Sequence, residues 1–284
     1  MANETVAVIG AGTMGNGIAE VFAVAGYAVR LYDAAETALE RGLRAIAGRL
    51  NKRAEKGRLA EDPAAVLARI APMAALEDAA GAALVIEAVI ERLDVKREVF
   101  RTLDAACGPE TILATNTSSL SVTEIAAATR QPERVVGMHF FNPAPVMPLV
   151  EVIAGKFSAP AAVDAAVRFV EAVGKVPIRA QDTPGFIVNR VARPFYNEAL
   201  RIVGDRVATI EQADRILKAA GFRMGPFELQ DLIGIDINFA TTTSVYEAFF
   251  HDPRFRPHPI QRMMVSAGAL GRKTGRGYYR YDGE

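Results

Sequence analysis

The chain has 284 residues, half of them hydrophobic, and its 33 basic side chains are balanced by 33 acidic ones. That is enough apolar material for one large or two ordinary cores, and a net charge of zero excludes a global attraction to nucleic acid or a membrane surface, so any anion site has to be local. A single cysteine, Cys107, excludes an intrachain disulfide; residues 1 to 10 lack the basic start and cleavage site of a signal peptide, and no apolar run approaches the ~20 residues of a spanning helix, so a cytoplasmic protein is expected.

In chain order, β-branched runs alternate with alanine-rich helical patterns from Thr5 to Ala180. The runs are "TVAVIG" at Thr5, "AVRLYD" at Ala28, "ALVIEA" at Ala83, "TILATN" at Thr111, "RVVGMHF" at Arg134, "LVEVI" at Leu149 and "KVPIRA" at Lys175. Such alternation predicts crossover connections and a mostly parallel sheet covered on both faces. After Pro184 the apolar residues keep helical spacing and no comparable strand runs occur. The prediction is an α/β domain over residues 1–183 and an all-helical domain over 184–284, joined at Thr183-Pro184-Gly185, with Pro184 suited to a first helical position.

Gly10-Ala11-Gly12-Thr13-Met14-Gly15 leaves the first predicted strand and opens a helix running to about Ala25. Gly10 can make the tight turn, Gly12 lets a pyrophosphate approach the backbone, and Gly15 lets helix pack on strand, with the anion at the helix N-terminus. Asp33 ends the next strand, where a carboxylate can accept hydrogen bonds from an adenosine ribose. The fold expected for residues 1–183 is therefore Rossmann-like. The cofactor expected is NAD, because Asp33 would repel the 2′-phosphate of NADP, although Arg30 nearby could attract one. No metal site is expected.

Of the three histidines, His251 and His258 lie in the polar, proline-rich "HDPRFRPHP", whereas His139 ends a predicted strand of the α/β domain. Ligands of such sheets bind at the carboxyl ends of strands. His139 is thus placed to take a hydroxyl proton as hydride leaves for a nicotinamide. Glu151, on the next strand, could hold the other ring nitrogen, fix the tautomer and stabilise the imidazolium.

"NTSSL" at Asn116, "HFFNPAPVMPLVEVI" at His139, "TPGFIVNR" at Thr183 and "GRKTGRGYY" at Gly271, with the glycine loop, resemble the L-3-hydroxyacyl-CoA dehydrogenase family over essentially the whole chain. "VNRVARPFYNEA" and "MGPFELQDLIGIDINFA" are most similar to bacterial members that oxidise 3-hydroxybutyryl-CoA or, in phenylacetate breakdown, 3-hydroxyadipyl-CoA. The resemblance implies an NAD-dependent enzyme of acyl-CoA metabolism in which His139 is the acid/base and Glu151 its partner. It further implies that Ser118 bonds the 3-oxygen of the substrate and touches the nicotinamide side, and that Asn189 contacts substrate from the helical domain. Glu91, Lys96, Asn142 and Lys273 are implied as cofactor contacts; by itself the pair Glu91 and Lys96 reads as a solvated face. Dimerisation through the helical domain is implied as well.

For the acyl-CoA thioester, "RGLRAIAGRLNKRAEKGR" holds Arg49, Lys52, Arg53 and Lys56, flanked by Arg44 and Arg58, as cations for CoA phosphates. Arg49 and Lys56 fall where the family's CoA-contacting helix falls. Arg193, four residues after Asn189, offers a guanidinium for a distal acyl carboxylate, or alternatively for an interdomain salt bridge. Two other classes compete: a non-catalytic, crystallin-like NAD-binding protein, which would need no set such as Ser118, His139, Glu151 and Asn189, and the β-hydroxyacid dehydrogenases, expected to use a lysine where "PGFIVNR" has asparagine.

Overall fold

The computed structural model describes residues 4–281. The chain divides into two compact units between Thr183 and Pro184.

The first unit runs β1 Thr5–Ile9, α1 Thr13–Val24, β2 Ala28–Tyr32, α2 Glu36–Glu55, α3 Pro63–Leu67, β3 Ile70–Pro72, β4 Leu84–Glu87, α4 Leu93–Ala106, β5 Ile112–Thr115, α5 Val122–Ala126, β6 Val135–Phe140, β7 Leu149–Ala154, α6 Pro160–Ala172 and β8 Val176–Gln181. These strands form one sheet of order β3-β2-β1-β4-β5-β6-β7-β8. β1 to β6 run parallel to one another. β7 pairs antiparallel with β6, and β8 parallel with β7, so the last two strands run against the rest.

Central strands read as unbroken apolar runs because both of their faces are covered: Val6 to Ile9 and Leu84 to Ile86 are fully buried. Phe22 of α1, Ile46 and Leu50 of α2, and Val163 and Val170 of α6 pack into the same core. The strand that sequence reading missed is β3. It has three residues, Ile70-Ala71-Pro72, and lies at the sheet edge, where a proline lacking an N–H is tolerated. So short a segment carries no periodicity to detect.

The second unit holds α7 Val188–Gly204, α8 Ile210–Ala219, α9 Pro226–Ile233, α10 Ile235–Ala248 and α11 Pro259–Ser266. Leu200, Ala213 and Phe227 form its small apolar cluster, with Tyr278 and Tyr279 packed against it. Buried carboxylates organise the remainder. Asp214 of α8 accepts from the N–H groups of Phe227 and Glu228 at 2.9 and 3.0 Å, satisfying the first turn of α9, and from the Tyr279 hydroxyl at 2.8 Å. Asp231 accepts from the N–H groups of Tyr278 and Tyr279 and from the Tyr281 hydroxyl, which docks the C-terminal "GYYRY". Among the described residues no helix is long and apolar enough to cross a membrane.

Arg193 departs from both roles expected of it. It is 3% exposed, and its Nη1 donates to the Asn238 carbonyl at 3.0 Å and the Thr242 hydroxyl at 2.9 Å, both on α10. Its Nε donates to the carbonyl of Asn189 at 3.2 Å, and the guanidinium lies 5.0 Å from the Tyr196 ring centroid. All these partners belong to the second unit and none is an acid, so among the described residues Arg193 forms no salt bridge, and its buried guanidinium is engaged by α7 and α10 instead of being offered to a carboxylate. Burial lowers its pKa to about 10, which still leaves it protonated at neutral pH. α7 continues through Pro194, whose missing N–H weakens the ladder beside it; Arg193 reaching back to the carbonyl of Asn189 ties that turn from the side.

Arg193→Ala should therefore lower global stability by about 2–4 kcal/mol, since it leaves a cavity and unpaired buried acceptors. Thr242→Val, which removes one acceptor, should be milder; denaturant titration of the two variants checks the order.

Candidate active site

The glycine loop joins β1 to α1. Gly10 has φ +102°, and a Cβ there would lie 2.6 Å from the Ala88 carbonyl oxygen; a Cβ on Gly15 would lie 1.7 Å from that of Gly10. The chain itself excludes side chains at these two positions. Gly12 differs, because a Cβ there would meet no protein atom within 4 Å. No atom of the chain requires a glycine there, and the open space would let a ligand approach the backbone closely. α1 has no side-chain cap, and the N–H groups of Gly12, Thr13 and Met14 have no partner among the described residues. Free donors at the positive end of a 12-residue helix suit a pyrophosphate.

Asp33 follows β2. Its Oδ2 accepts from Ala11 N–H at 2.8 Å and its Oδ1 from Ala35 N–H at 2.9 Å, so the carboxylate shapes the glycine loop and keeps a lone pair on each oxygen for ribose hydroxyls. Arg30 does not compete there. Its Nη1 donates to the carbonyls of Asp78 and Ala80 at 2.6 and 2.8 Å. The residues thus fit a dinucleotide without a 2′-phosphate.

The loop carrying Ser118 is held by a charge network anchored on a buried ion pair. Lys96 of α4 is 1% exposed, and its Nζ lies 2.7 Å from Glu87 Oε1 and 3.2 Å from Glu91 Oε2. A solvated face is thereby excluded for Lys96. Glu87, fully buried at the end of β4, also accepts from the Thr115 hydroxyl and Val89 N–H, both at 2.7 Å. Glu91 Oε1 accepts from the Thr117 hydroxyl at 2.6 Å and from the N–H groups of Ser118 and Ser119 at 2.9 and 3.2 Å. Burial alone would raise the pKa of Glu91, but Lys96 and these donors outweigh it and hold the carboxyl below its usual value. Sequence reasoning missed Glu87. The signal was available, since "LVIE" places an acid at the end of a buried strand as "VRLYD" does.

Asn116 links this loop to the histidine strand, its Oδ1 accepting from Phe140 N–H at 2.8 Å. The antiparallel register of β6 and β7 sets His139 directly opposite Glu151, and Nδ1 of the ring lies 2.7 Å from Glu151 Oε2. Both residues are buried. With an ionised carboxylate accepting at Nδ1, that nitrogen carries the proton and Nε2 is the acceptor. The Phe141 ring packs 4.4 Å from the imidazole, centroid to centroid. Asn142 is exposed in the following loop.

The glycine loop, Asp33, the Ser118 loop and His139 all follow or end parallel strands and share the carboxyl edge of the sheet, where ligands of such sheets bind. Of the α2 cations, Lys52 and Lys56 are exposed, whereas Arg49 is bound to Glu20 and Asn16 within the unit. In the second unit, Asn189 lies in the first turn of α7, and Lys273 pairs with both oxygens of Asp236 at 2.6 and 2.7 Å. Among the described residues no group of His, Cys, Asp and Glu could hold a metal ion.

Residues 5–183 match the family model for the 3-hydroxyacyl-CoA dehydrogenase NAD binding domain, and residues 185–281 that for the 3-hydroxyacyl-CoA dehydrogenase C-terminal domain. Over 99% of its length the chain is 51% identical to 3-hydroxyadipyl-CoA dehydrogenase of Escherichia coli K12, and it spans 60% of that longer protein. It is 42% identical to 3-hydroxybutyryl-CoA dehydrogenase of Clostridioides difficile, over 97% of this chain and 99% of the relative. The crystal structure of (S)-3-hydroxybutyryl-CoA dehydrogenase from Ralstonia eutropha superposes with a TM-score of 0.94 at 41% identity, covering 99% of both chains.

Asp33→Ser should reduce the preference for NAD over NADP at least tenfold, about 1.4 kcal/mol. NAD affinity should itself fall, because Ala11 N–H loses its acceptor; dissociation constants for NADH and NADPH in both proteins measure the two effects.

Proposed function

The chain belongs to the 3-hydroxyacyl-CoA dehydrogenase family, and we propose that it interconverts a short-chain 3-hydroxyacyl-CoA and its 3-keto thioester, with 3-hydroxybutyryl-CoA and 3-hydroxyadipyl-CoA as candidate substrates. The observation that carries this reading is the His139–Glu151 pair, which gives a buried imidazole an acceptor nitrogen at the edge that also bears the glycine loop.

In the oxidative direction His139 Nε2 takes the proton of the 3-hydroxyl, and the charge that develops on the ring is balanced by Glu151 at 2.7 Å. NAD, held by Gly12, Thr13, Met14 and Asp33, supplies the hydride acceptor when bound. Ser118 donates to the 3-oxygen and so favours its partial negative charge, and the Glu91–Lys96 network keeps the Ser118 backbone in place for this. Asn189 contacts the substrate, Asn142 and Lys273 the cofactor, and exposed Lys52 and Lys56 meet the CoA phosphates. In reverse, the imidazolium returns its proton to the keto oxygen.

The same reading has the protein working as a cytoplasmic homodimer joined through its helical unit. Large apolar side chains exposed there, such as Val191, Ile216, Ile237 and Phe250, support a protein partner for that surface.

His139→Gln should retain NADH binding and lower kcat by roughly 10²–10⁴, the usual contribution of a general acid/base. Glu151→Gln should be less severe, because its amide can face Nδ1 through either end and so admits the unproductive tautomer without removing the ring. Initial rates with the butyryl and adipyl substrates, measured alongside NADH titrations, test the reading; wild-type turnover in His139→Gln would overturn it.

A further inference from the structure

Glu20 lies within α1, and its carboxylate is fully buried. A buried carboxylate requires countercharge, and α2 provides two arginines. Arg49 Nε donates to Glu20 Oε2 at 2.5 Å, and Arg53 Nη1 to Oε1 at 3.3 Å. The Arg49 fork has a second prong. Its Nη2 donates at 2.7 Å to Oδ1 of Asn16, one helical turn before Glu20 and only 7% exposed. Asn16 Nδ2 in turn donates to the carbonyls of Gly12 and Ala11 at 2.6 and 3.2 Å.

These contacts determine the direction of the whole chain of bonds. A guanidinium only donates, so Asn16 must turn its oxygen to Arg49 and its NH₂ to the two carbonyls. Both loop peptides are trans, and in a trans peptide the C=O and N–H point in opposite directions. With the carbonyls of Ala11 and Gly12 drawn towards Asn16, the N–H groups of Gly12 and Thr13 are aimed away from it, where an anion is to be held. α2 also approaches this loop closely: a Cβ on Gly42 would lie 2.8 Å from the Ala11 carbonyl oxygen.

We propose that Arg49 is a positioning residue for the dinucleotide pyrophosphate, acting through Asn16 on the Gly12 and Thr13 N–H groups, and not a contact for CoA. The proposal rests on the reading of the glycine loop as the NAD site. It gives the α2 cations different roles, since Arg49 serves the cofactor loop from within while Lys52 and Lys56 face solvent.

The test uses Arg49→Met, Arg49→Lys, Asn16→Ala and the double variant Arg49→Met/Asn16→Ala, with Kd for NADH from fluorescence titration, KM for acetoacetyl-CoA and Tm. Arg49→Met and Asn16→Ala should each weaken NADH about five- to tenfold and leave the acetoacetyl-CoA KM within twofold. The double variant should be no worse than the single ones, because both changes break the same relay. Arg49→Lys should recover Tm through Glu20 yet not NADH affinity, since an ammonium lacks the planar fork. A raised acetoacetyl-CoA KM at unchanged NADH Kd would assign Arg49 to CoA, and a lowered Tm with both constants unchanged would assign it to packing; either overturns the proposal. Gly12→Val separates the levels. If it abolishes NADH binding while Arg49→Met does not weaken it, only the relay is wrong; if the wild-type protein does not bind NADH, the cofactor reading falls with it.

Discussion

A carboxylate withdrawn from water at the edge of a sheet has to find donors, and in the first unit the donors it finds are the loops that would do the chemistry. Asp33 takes the N–H of Ala11 and so shapes the glycine turn. Glu87 holds Lys96, which holds Glu91, which gathers Thr117, Ser118 and Ser119. Glu151 holds the imidazole of His139. Glu20, deeper in α1, reaches the same glycine loop through Arg49 and Asn16. Charges that are expensive to bury become the fixings of otherwise irregular backbone, and loops so fixed can present donors without reorganising at the moment of reaction.

The reversal of strand direction between β6 and β7 is the second constraint. His139 and Glu151 are only 12 residues apart, too close for a crossover helix between parallel strands but ample for an antiparallel return. The antiparallel register then places the two residues opposite each other on one face, where side chains of paired residues meet. Asn116, by accepting from Phe140 N–H, pins the neighbouring loop to the same strand end. The Ser118 loop and the histidine strand are therefore tied together by polar side chains, Asn116 and Glu91, that accept from backbone N–H groups.

The helical unit follows a different logic. Its apolar cluster is small, and polar groups carry much of the specification: Asp214 satisfies the start of α9, Asp231 docks the C-terminal tyrosines, and Gln261 donates to Gln230 and Asn238, both at 2.7 Å. Segments such as "MGPFELQDL" and "GRGYY", which stood out in the sequence as family signatures, owe their character to these contacts. Arg193 belongs to the same set. Its place beside Asn189 on one helix made it look like a substrate group, but it is turned into α10.

What the sequence determined by itself was whatever neighbouring residues decide together. The change from strand alternation to helical spacing after Pro184, the glycine turn with an acid closing the next strand, and the lone histidine at the end of an apolar run were all readable, because periodicity and steric demand act over a few residues. Tertiary structure decided the rest. Whether Lys96 was solvated or buried, whether Arg49 faced solvent or Glu20, and whether Arg193 pointed to a ligand or to α10 depended on partners 9, 29 and 45 residues away. The edge strand β3 exists only because β2 offers it a hydrogen-bonding rim. A long charged side chain has several rotamers that its own helix permits, and the choice among them is made by the desolvation of whatever acid or carbonyl the fold brings alongside.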